Sequence, residues 1–331
     1  PFFQSLLSPV PVAVGLALDP SFVSASTLTF WYRPLPTPTQ LTPSVGGASG
    51  GTEVAVRLAS ALPNTSPVPS HGTLACRFGD SPPVPAVQLA PDVLGCTSPA
   101  VTSLGPVLLE VTENGVDYTS AGLAFTYLPD PTVTAAGPLT GPWVGGTVVT
   151  LSGTGMHDGG EARCRFGESD VAATVISSEM ATCVAPADSV LLRGGAAERV
   201  VDVSFSNNGK DYVSIGGFRY YVQPAVETLS PDSAVLGDGS SSTTVTVGLA
   251  AGGVPLRPDT NVSCRLSAGA SHVPTSVGTV LSSRSLTCDV DCGPVAGPAR
   301  LSISLNGVDF YDAAPLTSPA IHCEALPVVE A

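Results

Sequence analysis

The sequence predicts an all-β chain assembled from tandem copies of one unit, and three observations carry that prediction. Gly (35) and Pro (32) fill about a fifth of the 331 positions. Such a density of breakers excludes long helices, because each Pro removes a helical donor and each Gly costs backbone entropy. Val, Leu, Phe and Tyr nevertheless recur in alternating runs, which separates the chain from disordered sequences. An internal repeat with a period near 95 residues runs through it, and at roughly 100–150 residues per domain the length itself calls for two to four domains.

Each copy opens on a strand: Gly51-Thr52-Glu53-Val54-Ala55-Val56, Gly146-Thr147-Val148-Val149-Thr150-Leu151 and Ser242-Thr243-Thr244-Val245-Thr246-Val247. Alternation puts Val54/Val56, Val149/Leu151 and Val245/Val247 on one face of a half-buried strand. A Cys-Arg pair follows in each, Cys76-Arg77, Cys164-Arg165 and Cys264-Arg265, and 19 to 24 residues later a second cysteine, Cys96, Cys183 and Cys288. Two cysteines at a fixed place in each copy are most economically a bridge within it. The third block centres on Asn114-Gly115, Asn208-Gly209 and Asn306-Gly307 between apolar runs, and predicts a hairpin with a tight type I′ turn, in which both residues take positive φ. Copies one and two then close with Phe125-Thr126-Tyr127 and Phe218-Arg219-Tyr220, aromatics spaced to face one core.

Phe22, Phe30 and Tyr32 stand where Tyr118, Phe125 and Tyr127 stand in the first full copy, so residues 1–34 read as the last strands of a repeat whose beginning is absent. Pro-containing stretches, Pro34 to Pro38, Pro129-Asp130-Pro131 and Gln223-Pro224, punctuate the copies and favour extended, semi-rigid backbone. The expected divisions are 1–34, 36–128, 129–222 and 223–331.

The ordered set Gly-Gly-Thr-x-Val, Cys-Arg-Phe-Gly, a second Cys before Thr-Ser-Pro or Val-Ala-Pro, Asn-Gly-x-Asp-Tyr and Phe-x-Tyr resembles the IPT/TIG family, immunoglobulin-like domains of plexins, related receptor ectodomains and several algal and protist surface proteins. The resemblance covers about 36–222 well and 223–331 more loosely. It implies tandem immunoglobulin-like (IPT/TIG) β-sandwiches in a semi-rigid rod, each with an intradomain disulfide. Here that means Cys76–Cys96 and Cys164–Cys183. The third copy lacks Phe-x-Tyr and adds Cys292 and Cys323; Cys264–Cys288 with Cys292–Cys323 is the expected pairing, and Cys288 and Cys292 remain open to exchange.

Other features bound the function. A formal charge of −14, with Lys210 the one lysine, leaves no basic patch to follow a phosphate backbone, so nucleic acid is not an expected partner. The most apolar stretch, Pro1 to Leu18, is interrupted by Pro9 and Pro11 and is a poor membrane span. Without an initiator Met, basic n-region or stop-transfer segment, the chain reads as part of a processed or larger protein. Eight cysteines, an even number, fit an oxidising compartment, and Asn64-Thr65-Ser66 and Asn261-Val262-Ser263 are N-glycan acceptor sequences.

No catalytic or metal-ligating constellation recurs. His71, His157, His272 and His322 fall at unrelated repeat positions and read as solvated; His322 beside Cys323 reads as a disulfide neighbour rather than a zinc ligand. Asp117, Asp211 and Asp309 recur after the Asn-Gly pair and read as turn-capping carboxylates bonded to backbone N–H groups, in preference to calcium ligands. Arg77, Arg165 and Arg265 read as solvated or locally paired.

The expectation is a non-enzymatic extracellular or cell-surface segment, without cofactor. Its partners are proteins, through self-assembly or a surface receptor. Three settings fit: a structural rod in a surface filament or ciliary-surface assembly, a cell–cell (for example gamete) adhesion ectodomain, and an accessory module of a carbohydrate-active enzyme. Paired exposed Trp residues favour the last, but Trp31 and Trp143 occupy different repeat positions and read as packing residues. Partner contacts are expected where the copies differ, in the loops around Asn64–His71 and Leu191–Ala197, with Leu191, Leu192 and Arg193 as the candidates.

Overall fold

The computed structural model describes residues 10–15, 17–19, 22–23, 28–32, 34–62, 74–120, 123–159, 161–236, 242–268, 271–272, 275–293, 296–312 and 321–324. Its backbone divides into two compact units, Pro1–Asp130 and Pro131–Ala331.

In the first unit, strands Pro38–Thr42, Glu53–Leu58, Val93–Thr97 and Val84–Ala90 pair in that order. A second row runs Ala75–Phe78, Gly105–Thr112, Leu123–Leu128 and Val45–Gly47, and Val84–Ala90 also pairs with Ala75–Phe78 to join the rows. Alternation turns one side of each strand inward, so Val54, Val56 and Leu94 from one row meet Phe78, Leu109, Val111, Phe125 and Tyr127 from the other. Phe125 packs edge-on against Phe78 and Tyr127, with ring centroids 5.1 Å apart in each pair. The closing strand Leu123–Leu128 runs antiparallel to Gly105–Thr112 and parallel to Val45–Gly47, with Tyr127 opposite Gly46. A Cβ on Gly46 would lie 2.6 Å from the Phe125 ring and 2.5 Å from the Thr52 hydroxyl, so the aromatic closure requires glycine there.

The second unit holds two such cores. Around the first, strands Thr132–Gly137, Val148–Thr154, Met180–Val184 and Ser169–Ser177 form one row, and Arg163–Phe166, Glu198–Ser206, Val213–Tyr221 and Thr140–Pro142 the other. Gly141 repeats the role of Gly46, since a Cβ there would lie 2.8 Å from the Phe218 ring. In the third sandwich, Val226–Ser230, Thr243–Leu249, Ser285–Val290 and Thr279–Ser282 pair in order against Ser233–Val235, Ile321–Glu324, Gly297–Ser304, Ser263–Ala268 and Ser271–His272.

The third sandwich closes without aromatics. Ile321–Glu324 pairs antiparallel with Gly297–Ala299 and parallel with Ser233–Val235, the same register that places Phe125 and Tyr127 in the first. Ile321 and Cys323 thus occupy the Phe and Tyr positions, and Ala234 replaces the glycine.

Four bridges are present. Cys76–Cys96, Cys164–Cys183 and Cys264–Cys288, with Cα atoms 6.2, 6.3 and 5.9 Å apart, each join the two rows of one sandwich. Cys292–Cys323, at 5.7 Å, ties the segment after strand Ser285–Val290 to the closing strand. Ahead of the first sandwich, Val10–Val14 pairs with Leu28–Tyr32, Val12 opposite Phe30. Phe30 and Tyr32 are 55% and 45% exposed, unlike buried Phe125 and Tyr127.

Candidate functional site

The Asn-Gly segments form one device three times, and it differs from a type I′ hairpin. Among the described residues positive φ occurs only at glycines, including Gly115, Gly209 and Gly307 at 76°, 68° and 78°, so the preceding asparagines stay on the ordinary side of the map. The flanking strands do pair antiparallel as a hairpin, but the connection is longer than a two-residue turn: residues 113–122 in the first copy and 207–212 in the second. What fixes each turn is the asparagine side chain. Asn114 Oδ1 accepts from the amides of Val116 (3.0 Å) and Asp117 (2.9 Å), while its Nδ2 donates to Asp117 Oδ2 at 2.9 Å. Asn208 and Asn306 make the same set with Lys210 and Asp211, and with Val308 and Asp309. The expected roles are therefore exchanged: asparagine caps the backbone, and the aspartate holds the asparagine amide.

The turn also presents an aromatic ring to the arginine of the Cys-Arg pair. Arg77 and Arg165 stack over Tyr118 and Tyr212 with the guanidinium carbon 3.9 Å from the ring centre, and Arg265 lies 4.3 Å above Phe310. Strand alternation buries the cysteine and turns the arginine to the outer face, where a weakly hydrated guanidinium gains from the ring quadrupole. Arg77 also donates to Glu110, and Arg165 to Asp170. The Arg165 hydrogen bond holds the Asp170 carboxyl below its ordinary range despite partial desolvation.

Between the second and third sandwiches the turn becomes a clasp. Asn306 Nδ2 donates to the Thr140 carbonyl at 2.8 Å, and Thr147 Oγ1 donates to Asp309 Oδ2 at 2.5 Å. Glu198 pairs with Arg257, with Arg219 Nε 4.0 Å away, and the Val254 amide donates to the Val222 carbonyl at 3.0 Å. Tyr221, 2% exposed, ends the last strand of the second sandwich and packs into the core of the third. Its hydroxyl has no hydrogen-bond partner among the described residues; burial, with the nearby Asp309 charge, raises its pKa. A cleft of about 260 Å³ opens beside the clasp, bordered by Pro138–Thr140, Arg257, Asp259–Asn261 and Asn306.

The predicted partner contacts meet a correction. Residues Ser189–Gly194 form a short helix where a loop was expected: Asp188 Oδ1 caps the amides of Val190 and Leu191, and Gly195 at φ 65° ends it. Leu191 is 3% exposed and belongs to the core of the second sandwich, so it cannot meet a partner. Arg193 is exposed, and the Leu192 side chain lies outside the described residues. Burial works against the Asp188 charge, but the Leu191 amide, Arg199 and the Val190 amide outweigh it and hold the carboxyl below its ordinary range.

Asn64 and His71 lie outside the described residues, as does the His272 side chain, whereas Asn261 is exposed. His157 and His322 are exposed, and Cys323 beside His322 is in a bridge. Trp143 packs against the core of the second sandwich; the Trp31 side chain is not described. Sequence reasoning missed the arginine stacks and the clasp. The signal for the stacks was present as the recurring pair Cys-Arg and Asn-Gly-x-Asp-Tyr/Phe.

Residues 131–221 match the IPT/TIG domain family. Human plexin-A3 is 28% identical over 244 residues, covering 69% of this chain and 12% of plexin-A3, so the chain spans about an eighth of that relative. Among solved structures, the plexin A4 full extracellular region with domains 1 to 10 aligns with TM-score 0.43 and 18% identity, over 89% of this chain and 25% of that one. The same region with domains 1 to 8 aligns with TM-score 0.36 and 13% identity, over 88% and 34%. Three cores of paired β rows, each crossed by a disulfide between the rows, make this an all-β chain of tandem immunoglobulin-like sandwiches, the second of which matches the IPT/TIG domain family.

Proposed function

We propose that the chain is a non-catalytic, extracellular segment of a cell-surface protein, in which sandwiches at 36–128, 129–222 and 223–331, after a partial one at 1–34, act as a semi-rigid spacer. The observation that supports it best is the clasp: hydrogen bonds, an ion pair and the shared Tyr221 hold the second sandwich against the third. A joint built from side chains transmits orientation, which a flexible tether does not. The four bridges support an oxidising, extracellular setting. Self-assembly in a surface or ciliary-surface filament is the first use of such a spacer.

A second reading is an adhesion or receptor ectodomain that binds a separate protein partner, and the similarity to plexin-A3 favours it. Negative-stain imaging of the intact parent protein separates the two. Filaments support the first reading, and monodisperse particles that bind a distinct surface protein support the second. Free thiols on peptide mapping would remove the extracellular setting from both.

A further inference from the structure

We infer that Asn261 carries an N-linked glycan whose first N-acetylglucosamine seats in the cleft between the second and third sandwiches. The inference rests on the extracellular reading and adds to it the occupant of the cleft. Asn261-Val262-Ser263 is an acceptor sequence, and its asparagine is exposed at the cleft border. Its backbone is fixed from both sides: Val262 is 1% exposed and its amide donates to the Thr260 carbonyl, while the Arg257 amide donates to Thr260 Oγ1 at 2.9 Å. The Asn261 side-chain amide makes no hydrogen bond among the described residues, so its nitrogen is available for the sugar. It lies over Gly307, where a Cβ would come within 2.9 Å of Nδ2. Glycine at the turn therefore leaves that nitrogen its room.

The transfer joins Asn261 Nδ2 to the anomeric carbon of the sugar. It breaks that carbon's bond to a lipid-linked pyrophosphate donor, which leaves with the electron pair, and the amide nitrogen gives up one proton. The cleft, about 260 Å³, is the room of several waters and suits one amino sugar. Arg257 and Thr260 border the cleft as donors to the sugar's oxygens, Asp259 as an acceptor for its hydroxyl groups, and Leu139 and Pro255 give apolar surface to the acetamido methyl.

The test is to secrete the 331-residue chain from a eukaryotic host, map Asn261 by mass spectrometry, and trim the glycan enzymatically to one N-acetylglucosamine. The trimmed protein is expected to melt about 2 °C above the unglycosylated Asn261→Gln and Ser263→Ala variants. Asp259→Ala should abolish that difference while leaving the melt of Ser263→Ala unchanged. Asn261 found unmodified in a secreted, fully bridged chain overturns the inference and leaves the extracellular reading standing. An occupied Asn261 whose trimmed sugar adds no stability, or adds it equally with Asp259→Ala, overturns the seat. A chain retained in the cell with free thiols overturns the extracellular reading, and the inference falls with it.

Discussion

The first and third sandwiches close on the same strand register with different chemistry. In the first, Tyr127 reaches across to donate its hydroxyl to the Pro99 carbonyl at 3.0 Å, three residues beyond Cys96. In the third, the residue in the tyrosine position is Cys323, and it bonds to Cys292, four residues beyond Cys288. The rest of the site changes in step: Phe125 becomes Ile321, and Gly46, which had to make room for an aromatic ring, becomes Ala234, 4% exposed. A smaller closing side chain opens the volume that a methyl group then fills, a swap that close-packed interiors tolerate when total volume is kept. What the fold demands here is a tie between the closing strand and the segment after the second cysteine; a hydrogen bond and a covalent bond both supply it.

The largest effect that tests this equivalence is removal of the covalent tie. Cys292→Ser with Cys323→Ser is expected to cost about 3–4 kcal/mol in the chain-entropy description of a loop of this size, read as a lower melting temperature with the other three bridges intact. A loss as small as that of a single hydrogen bond would show that the bridge only decorates a closure already complete.

The turns give the next comparison. Asn306→Ala removes the donor to the Thr140 carbonyl as well as the turn's own bonds and is expected to cost about 1–3 kcal/mol. Asn114→Ala, at an exposed turn in the first sandwich, is expected to cost about 1 kcal/mol less. Equal losses in chemical denaturation would mean that the clasp contributes nothing beyond the turn.

The smallest effect belongs to the hydrogen-bonded tie. Tyr127→Phe is expected to cost about 1 kcal/mol. Burial pushes the Tyr127 phenol up from 10.0 to about 12, so its neutral form is favoured in the folded state. The corresponding stability is fully present below pH 10 and is lost as pH rises toward about 12. The variant should therefore show a shallower decline in stability across that window, measured by denaturation at fixed pH values. An unchanged slope would show that burial does not hold the Tyr127 phenol neutral, and a loss well below about 1 kcal/mol would place its hydroxyl outside the tie.

The repeat was legible because strands and bridges leave short-range marks. Alternation exposed Val54/Val56 and their counterparts, and Cys-Arg fixed both the bridge and, through alternation, the outward arginine. The closing strand of the third sandwich was hidden because its tie replaced aromatics with Ile321 and Cys323, which carry no Phe-x-Tyr signature. The helix at Ser189–Gly194 was hidden for a different reason. Asp188 and Gly195 are fitting caps, but six residues hold too little periodicity to show that Leu191 faces inward. The clasp joins residues such as Asn306 and Thr140 that are 166 positions apart, and no local pattern records such a meeting.

The two halves of that clasp have an evolutionary consequence. Asn306 and Asp309 come from the turn that every copy possesses, and Thr147 from the Gly-Gly-Thr opening it shares with Thr52. A gene segment encoding one sandwich thus carries a plug and a socket together. Duplication in tandem would deliver the turn and its socket with every copy, leaving contacts such as the Glu198–Arg257 pair and the packing of Tyr221 to be added at the junction itself.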